Sequence, residues 1–191
     1  MTTPHVSDGK PSRRIRIRRR TCLLLGMPIV LVVHSFFVAV LPWAMSLVAP
    51  RYGWTESGPA TWNRFGLVPV TVGVMGLIWV YSVMGAQFSK LPEIVELDEG
   101  ERLWSATSRV LITHGPFAFS RNPMFLSLLI VVLGWALYYG SVFILIFTAT
   151  GFTITNFLKV PQEERGLEAR FGDAYRTYKA RVPRWLGLPR R

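Results

Sequence analysis

Three stretches of this chain carry almost no charge, and they restrict its fold more than any other feature. Between Arg20 and Arg51 the ionisable side chains are His34 and Cys22, between Arg64 and Lys90 there is only Tyr81, and from Met124 to Leu158 there is no Asp, Glu, Lys, Arg or His. Apolar runs of about 18 residues or more can cross a hydrocarbon core of roughly 30 Å, so all three read as membrane segments. The third is 35 residues long. As one helix it would reach roughly 52 Å at about 1.5 Å per residue, too long for a single crossing. It must turn back, and Gly140 with Ser141, directly after Tyr138 and Tyr139, is the expected tip: glycine tolerates turn geometry and tyrosine favours the interface. The expected fold class is therefore all-α, an integral membrane bundle of about four transmembrane helices near 23–48, 65–88, 123–139 and 142–158. The last two form a helical hairpin.

Orientation follows from the 22 Lys and Arg residues. With the N-terminus inside, seven lie in the N-terminal arm, four in 89–122 and nine from Lys159 onward, leaving Arg51 and Arg64 outside. The positive-inside rule then places both termini and the central loop in the cytoplasm. The net charge of +11 is explained by topology, and nucleic-acid binding becomes unnecessary. The chain divides into a basic cytosolic arm (1–20), two membrane helices (21–88) and a core (89–191) made of a cytosolic loop, the hairpin 123–158 and a C-terminal helix 161–182. The arm RRIRIRRR reads as a topogenic, largely disordered flank, though basic residues there also suit anionic headgroups.

A single cysteine makes no internal disulfide, and no Cys/His cluster has metal-ligand spacing, so no metal site is expected. Cys22 reads as an inert packed or lipid-facing thiol. His34, among Val, Leu and Phe, reads as a neutral histidine hydrogen-bonded between helices. The run is too long for a cleaved signal peptide and should stay as an anchor.

The polar groups concentrate at the two ends of the hairpin. In GPFAFSRNPMF, residues 115–125, Asn122 is a good N-cap and Pro123 suits the first helical position, so RNP should start the third helix. The free N–H groups and dipole of that start make it a potential anion site, which Arg121 would strengthen. The fourth helix returns to the same face. There Pro161 should begin a new amphipathic helix, with Leu167, Phe171, Tyr175, Tyr178 and Val182 on one apolar face. Helices pack roughly 8–10 Å apart, so Arg121 and Asn122 should lie near Lys159–Glu164. A donor-rich turn facing Glu163 and Glu164 could hold a zwitterion, or these groups could simply cap their own helices.

GPFAFSRNPMF, an apolar hairpin, and then Glu163, Glu164, Leu167, Phe171, Gly172, Tyr175, Tyr178, Val182 and Pro183 together resemble the isoprenylcysteine carboxyl methyltransferase and phospholipid methyltransferase superfamily of membrane enzymes. The likeness covers about residues 110–185 and rests on two separated motifs at the right interval. It implies S-adenosylmethionine as methyl donor, held on the cytoplasmic side by Gly115, Pro116, Phe117, Arg121, Asn122, Pro123, Phe125, Glu163, Glu164 and Tyr175. Arg121 or the helix start would meet the donor's carboxylate, and Glu163 or Glu164 its ammonium or ribose. Glu164 and Arg121 are the implied catalytic residues, Glu164 being the candidate base for an amine acceptor. The implied partners are the bilayer and a lipophilic small molecule or prenylated substrate.

Two positions depart from the common family pattern. Asn122 stands where many relatives have His, which excludes histidine proton chemistry there, and Phe117 is followed by Ala118 where the common form has Tyr followed by Arg. Two other readings remain: a nicotinamide-dependent membrane reductase, and a non-catalytic adaptor whose amphipathic tail docks a partner.

Overall fold

The computed structural model describes residues 15–18, 32–88, 94–97 and 110–188. Most of the arm, Cys22 and residues 23–31 of the first expected span lie outside the described residues. The chain is mostly helical: α1 (Val32–Val48), α2 (Thr61–Arg64), α3 (Leu67–Phe88), α4 (Pro123–Tyr139), α5 (Val142–Ile154), α6 (Val160–Phe171) and α7 (Asp173–Arg181). Two continuous stretches, Thr61–Ala86 and Val142–Phe171, are long and apolar enough to cross a membrane, whereas Val32–Val48 and Pro123–Tyr139 are apolar but shorter. Phe143, Ile146, Phe157 and Leu158 are all exposed, so the second stretch turns an apolar face outward.

Helices α3 and α4 form the closest pair. Their backbones approach through glycines: a Cβ at Gly134 would stand 2.6 Å from the Val70 nitrogen, and one at Gly73 2.7 Å from the Ser127 carbonyl oxygen. Small residues allow such contact, which is how helices associate where lipid offers no hydrophobic drive. Val131, Val132 and Ala136 complete the buried side of α4, and Val132, Ala136, Tyr139 and Ile144 form one core cluster with Met45, Trp54 and Trp135 against it. His34 on α1 meets the edge of Tyr81 on α3, ring centroids 5.7 Å apart, which places the histidine between helices.

The hairpin turns where the sequence indicates. Gly140 is left-handed at φ 58, and the Ser141 side chain accepts from the Ile144 N–H. The end of α4 needs further partners because its last carbonyls have none within the helix. Asn63, fully buried, donates through Nδ2 to the carbonyls of Leu137 (3.2 Å), Tyr138 (3.0 Å) and Tyr52 (3.1 Å). Trp54 Nε1 donates to the Tyr138 carbonyl at 2.9 Å. The tryptophan-rich loop thus closes this end of the bundle. Arg51 completes it, with its guanidinium 5.1 Å from the Trp54 ring and 5.5 Å from that of Tyr139.

Four expectations are corrected. First, the fold is not purely helical: β1 (Ile15–Arg18) pairs antiparallel with β4 (Ile94–Leu97), and β2 (Trp54–Thr55) with β3 (Gly58–Pro59). Part of the arm read as a disordered flank is therefore a strand, and the two-residue alternation in IRIR was the available signal. Second, Pro161 starts no new helix. The chain stays helical from α5 through a π-helical turn, Thr155–Lys159, into α6. That wider turn accommodates the proline, which has no N–H to add to the ladder. Third, the C-terminal helix is not continuous over 161–182: Gly172, at φ 53, separates α6 from α7. Fourth, the Asn122 side chain does not cap α4, because it is committed elsewhere.

Because any side chain at 134 must push backbone against backbone, Gly134→Val should destabilise the protein by about 1–3 kcal/mol. Thermal unfolding in detergent checks this; an unchanged transition would mean that the helix pair is looser than described.

Candidate active site

The end of the bundle opposite Gly140 gathers the start of α4, the junction of α5 with α6, and the C-terminal segment after α7. Gly115–Ala118 is a single 3-10 turn whose glycine sits at φ 63, and a Cβ there would come within 3.0 Å of Val83 on α3. Pro116, Asn122 and Pro123 are buried. This turn is therefore seated on the helix pair, and it carries Arg121 inward. Helix α6 brings Glu164 to the same place, 5% exposed.

Arg121 Nη1 lies 3.2 Å from Glu164 Oε1, the two side chains being 10% and 6% exposed. Arg184 grips the same carboxylate with two hydrogen bonds, Nε to Oε1 at 3.3 Å and Nη2 to Oε2 at 3.1 Å. Lys179 Nζ stands 3.9 Å from Oε2. One nearly buried carboxylate thus faces two arginines and a lysine that lies closer, at 3.4 Å, to Glu168 Oε2. The Arg121 contact is an ion pair of poor hydrogen-bond alignment, and its Nε is buried without an acceptor. A buried donor left unused is costly, by about 1–3 kcal/mol and more for charged groups. Such donors are explained when they serve a ligand.

Tyr175 is 1% exposed beside this cluster. Burial, and secondarily the charge of Glu164, push its phenol up to about 12, while the nearby Arg121 guanidinium works in the other direction. Tyr178 donates its hydroxyl to the Phe117 carbonyl at 2.8 Å, and burial raises its phenol as well. Tyr175, Tyr178 and Val182 form a second core cluster with Leu111, Leu167 and Phe171, so the expected apolar face does pack, but across the Gly172 break.

The segment after α7 crosses the turn as a strap. Arg121 N–H donates to the Pro183 carbonyl at 3.0 Å, Asn122 Nδ2 to the Arg184 carbonyl at 3.1 Å, Ser120 Oγ to the same carbonyl at 3.3 Å, and Gly187 N–H to the Phe119 carbonyl at 3.1 Å. Trp185 Nε1 donates to Asn156 Oδ1 at 3.0 Å, in the π-helical turn.

Of the expected site residues, Arg121, Asn122, Glu164 and Tyr175 converge. Gly115, Pro116, Phe117, Pro123 and Phe125 shape the turn and the helix start around them. Glu163 points outward and is exposed. Adjacent residues on a helix diverge by about 100°, so only one glutamate of the pair can face inward. Sequence reasoning missed Arg184, Lys179 and Asn156. No local pattern announces that Gly172 folds Lys179 and Arg184 back towards Glu164.

A helical chain with two helices of membrane-spanning length, and a buried ion cluster at one end of them, is the kind of protein in which polar chemistry is held beside a lipid phase. The phospholipid methyltransferase family matches residues 62–174, and the chain belongs to that family, within the superfamily of isoprenylcysteine carboxyl and phospholipid membrane methyltransferases. An uncharacterized protein of Haemophilus influenzae is 40% identical over 63 residues, which are 33% of this chain and the whole of that relative. The family makes the chain a membrane-type methyltransferase.

Tyr175 gives a prediction of definite sign. Between pH 10.0 and about 12 the unfolded chain loses this phenolic proton while the folded chain keeps it. The stability it contributes is complete below pH 10 and declines as pH rises through that window. Ultraviolet titration of the folded protein should show a late phenol step that Tyr175→Phe reduces by one group, Tyr178 remaining, and an unchanged curve would contradict the burial.

Proposed function

We propose that the protein transfers a methyl group from S-adenosylmethionine to an acceptor carried in the membrane, at the cytoplasmic face. The observation that carries this reading is the pairing of Arg121 with Glu164, in which Arg121 keeps its buried Nε donor without an acceptor. The methyl donor ends in an amino acid group, one carboxylate and one ammonium, and the site offers a carboxylate paired at 3.2 Å with an arginine whose Nε donor is unused. The donor set therefore fits that group. When bound, the donor supplies an electrophilic methyl carbon on a sulfonium.

The residues of the chain have separate tasks in this reading. Arg121 holds the donor's carboxylate by charge-assisted hydrogen bonds, and Glu164 holds its ammonium. Pro116 and Pro123, both buried, keep the turn rigid, so that the two anchors stay in place while an acceptor approaches. Tyr175 stays protonated across physiological pH and packs beneath the charges without adding one. Alignment of this kind can supply roughly 7–11 kcal/mol to a transfer reaction. Low local dielectric adds to it where the acceptor is an anion, because opposite charges cancel as the methyl moves.

The four-span topology belongs to the same proposal. Seventeen residues of α4 rise about 26 Å, close to a hydrocarbon core of roughly 30 Å. The 30-residue stretch Val142–Phe171 rises about 45 Å, so its later part leaves the membrane and carries Glu164 to the water interface. The excess of Lys and Arg on that side supports a cytoplasmic placement.

Calorimetric titration of the detergent-purified protein with S-adenosylhomocysteine tests the reading. Binding near the micromolar range is expected, weakened about tenfold or more in Glu164→Gln and in Arg121→Gln. A folded wild-type protein that takes up no S-adenosylhomocysteine would sink the proposal.

A further inference from the structure

Glu164 has both carboxylate oxygens engaged by a residue that the donor reading leaves without a task. Arg184 occupies Oε1 and Oε2 together, whereas Arg121 approaches Oε1 alone and without hydrogen-bond alignment. The two arginines also differ in freedom. The Arg121 side chain is 10% exposed and enclosed, while that of Arg184 is 35% exposed. The main chain at Arg184 is anchored by bonds that do not involve its side chain: its carbonyl accepts from Ser120 and Asn122, and Pro183 and Gly187 are each tied to the turn. The guanidinium can therefore leave Glu164 by rotation about its own side-chain bonds while the strap remains in place.

Charge requires such a departure. Arg121 and Arg184 both stand on Glu164, and Lys179, nearer to Glu168 at 3.4 Å than to Glu164 at 3.9 Å, is shared between the two carboxylates, so these three cations already exceed the two negative charges. A donor with a sulfonium, an ammonium and one carboxylate adds a further net positive charge, and its ammonium needs the oxygens that Arg184 fills. Resting on the donor reading of this site, we propose that Arg184 is a displaceable occupant: its guanidinium stands on Glu164 where the donor's ammonium binds, and donor binding exchanges one cation for the other. Arg184 is then a positioning residue. It keeps a nearly buried carboxylate neutralised between turnovers, at the cost of some donor affinity, because only the fraction of molecules with Glu164 released can bind.

The test is calorimetric titration with S-adenosylhomocysteine of wild type, Arg184→Gln and Arg184→Lys, each first shown to unfold cooperatively. The exchange predicts that Arg184→Gln binds about three- to tenfold more tightly than wild type, with Arg184→Lys in between because an ammonium cannot grip both oxygens. A purely structural arginine would give the opposite sign, since loosening the strap weakens binding. Unchanged or weaker binding by a folded Arg184→Gln overturns the proposal. If the glutamine variant does not fold, Arg184→Lys decides by the same criterion. A wild type that binds no S-adenosylhomocysteine removes the donor reading itself, whereas a wild type that binds with no gain in the variants removes only the exchange.

Discussion

Glu164 holds a negative charge almost out of water, and one whole end of the bundle is arranged around it. An isolated carboxylate in that position would be strongly disfavoured, and breaking a buried pair by deleting one partner typically costs about 3–5 kcal/mol. Its partners come from three places: the turn before α4, the last turn of α7, and the strap after it. Holding them together requires that α4 and α5 begin and end at the same level, that α6 continue α5 without a break, and that Gly172 reverse the chain. The family to which the chain belongs carries out methyl transfer.

The opposite end solves a different problem with uncharged groups. The last carbonyls of α4 are satisfied by Asn63 and Trp54, and Arg51 is covered by aromatic faces and donates to the Ser46 carbonyl at 2.8 Å. Between the two ends, α3 and α4 meet through glycines at backbone distance. Such contact leaves little room for adjustment, so the turn at 115–118 rests on a stiff support. The Arg184 guanidinium, 35% exposed on a strap whose main chain is anchored, is the less constrained part of the site.

Much of this was legible in the chain before any coordinates. Charge-free runs located the long helices, Gly140 located the hairpin tip, and the spacing of Leu167, Phe171, Tyr175, Tyr178 and Val182 identified one apolar face. The proximity of Arg121 to Glu164 followed from the hairpin alone. Other features were misjudged where a local rule met a tertiary demand. Pro161 would end many helices, yet a π-helical turn carries the chain past it. Asn122 has the chemistry of a cap but gives its amide to the Arg184 carbonyl. The alternation in IRIR was overshadowed by its charge.

The sequence by itself determined where the apolar segments run, which ends bear positive charge, and that a turn rich in donors must come near a carboxylate. These properties depend on composition and period, which act over short distances along the chain. Only the tertiary structure decided that Glu163 faces away and Glu164 faces in, that Arg184 and Lys179 both approach the same carboxylate, and that the Nε donor of Arg121 is left over. Those outcomes depend on the rotation of α6 about its axis and on the reversal at Gly172. Packing across the whole end of the molecule sets both, and no window of sequence contains it.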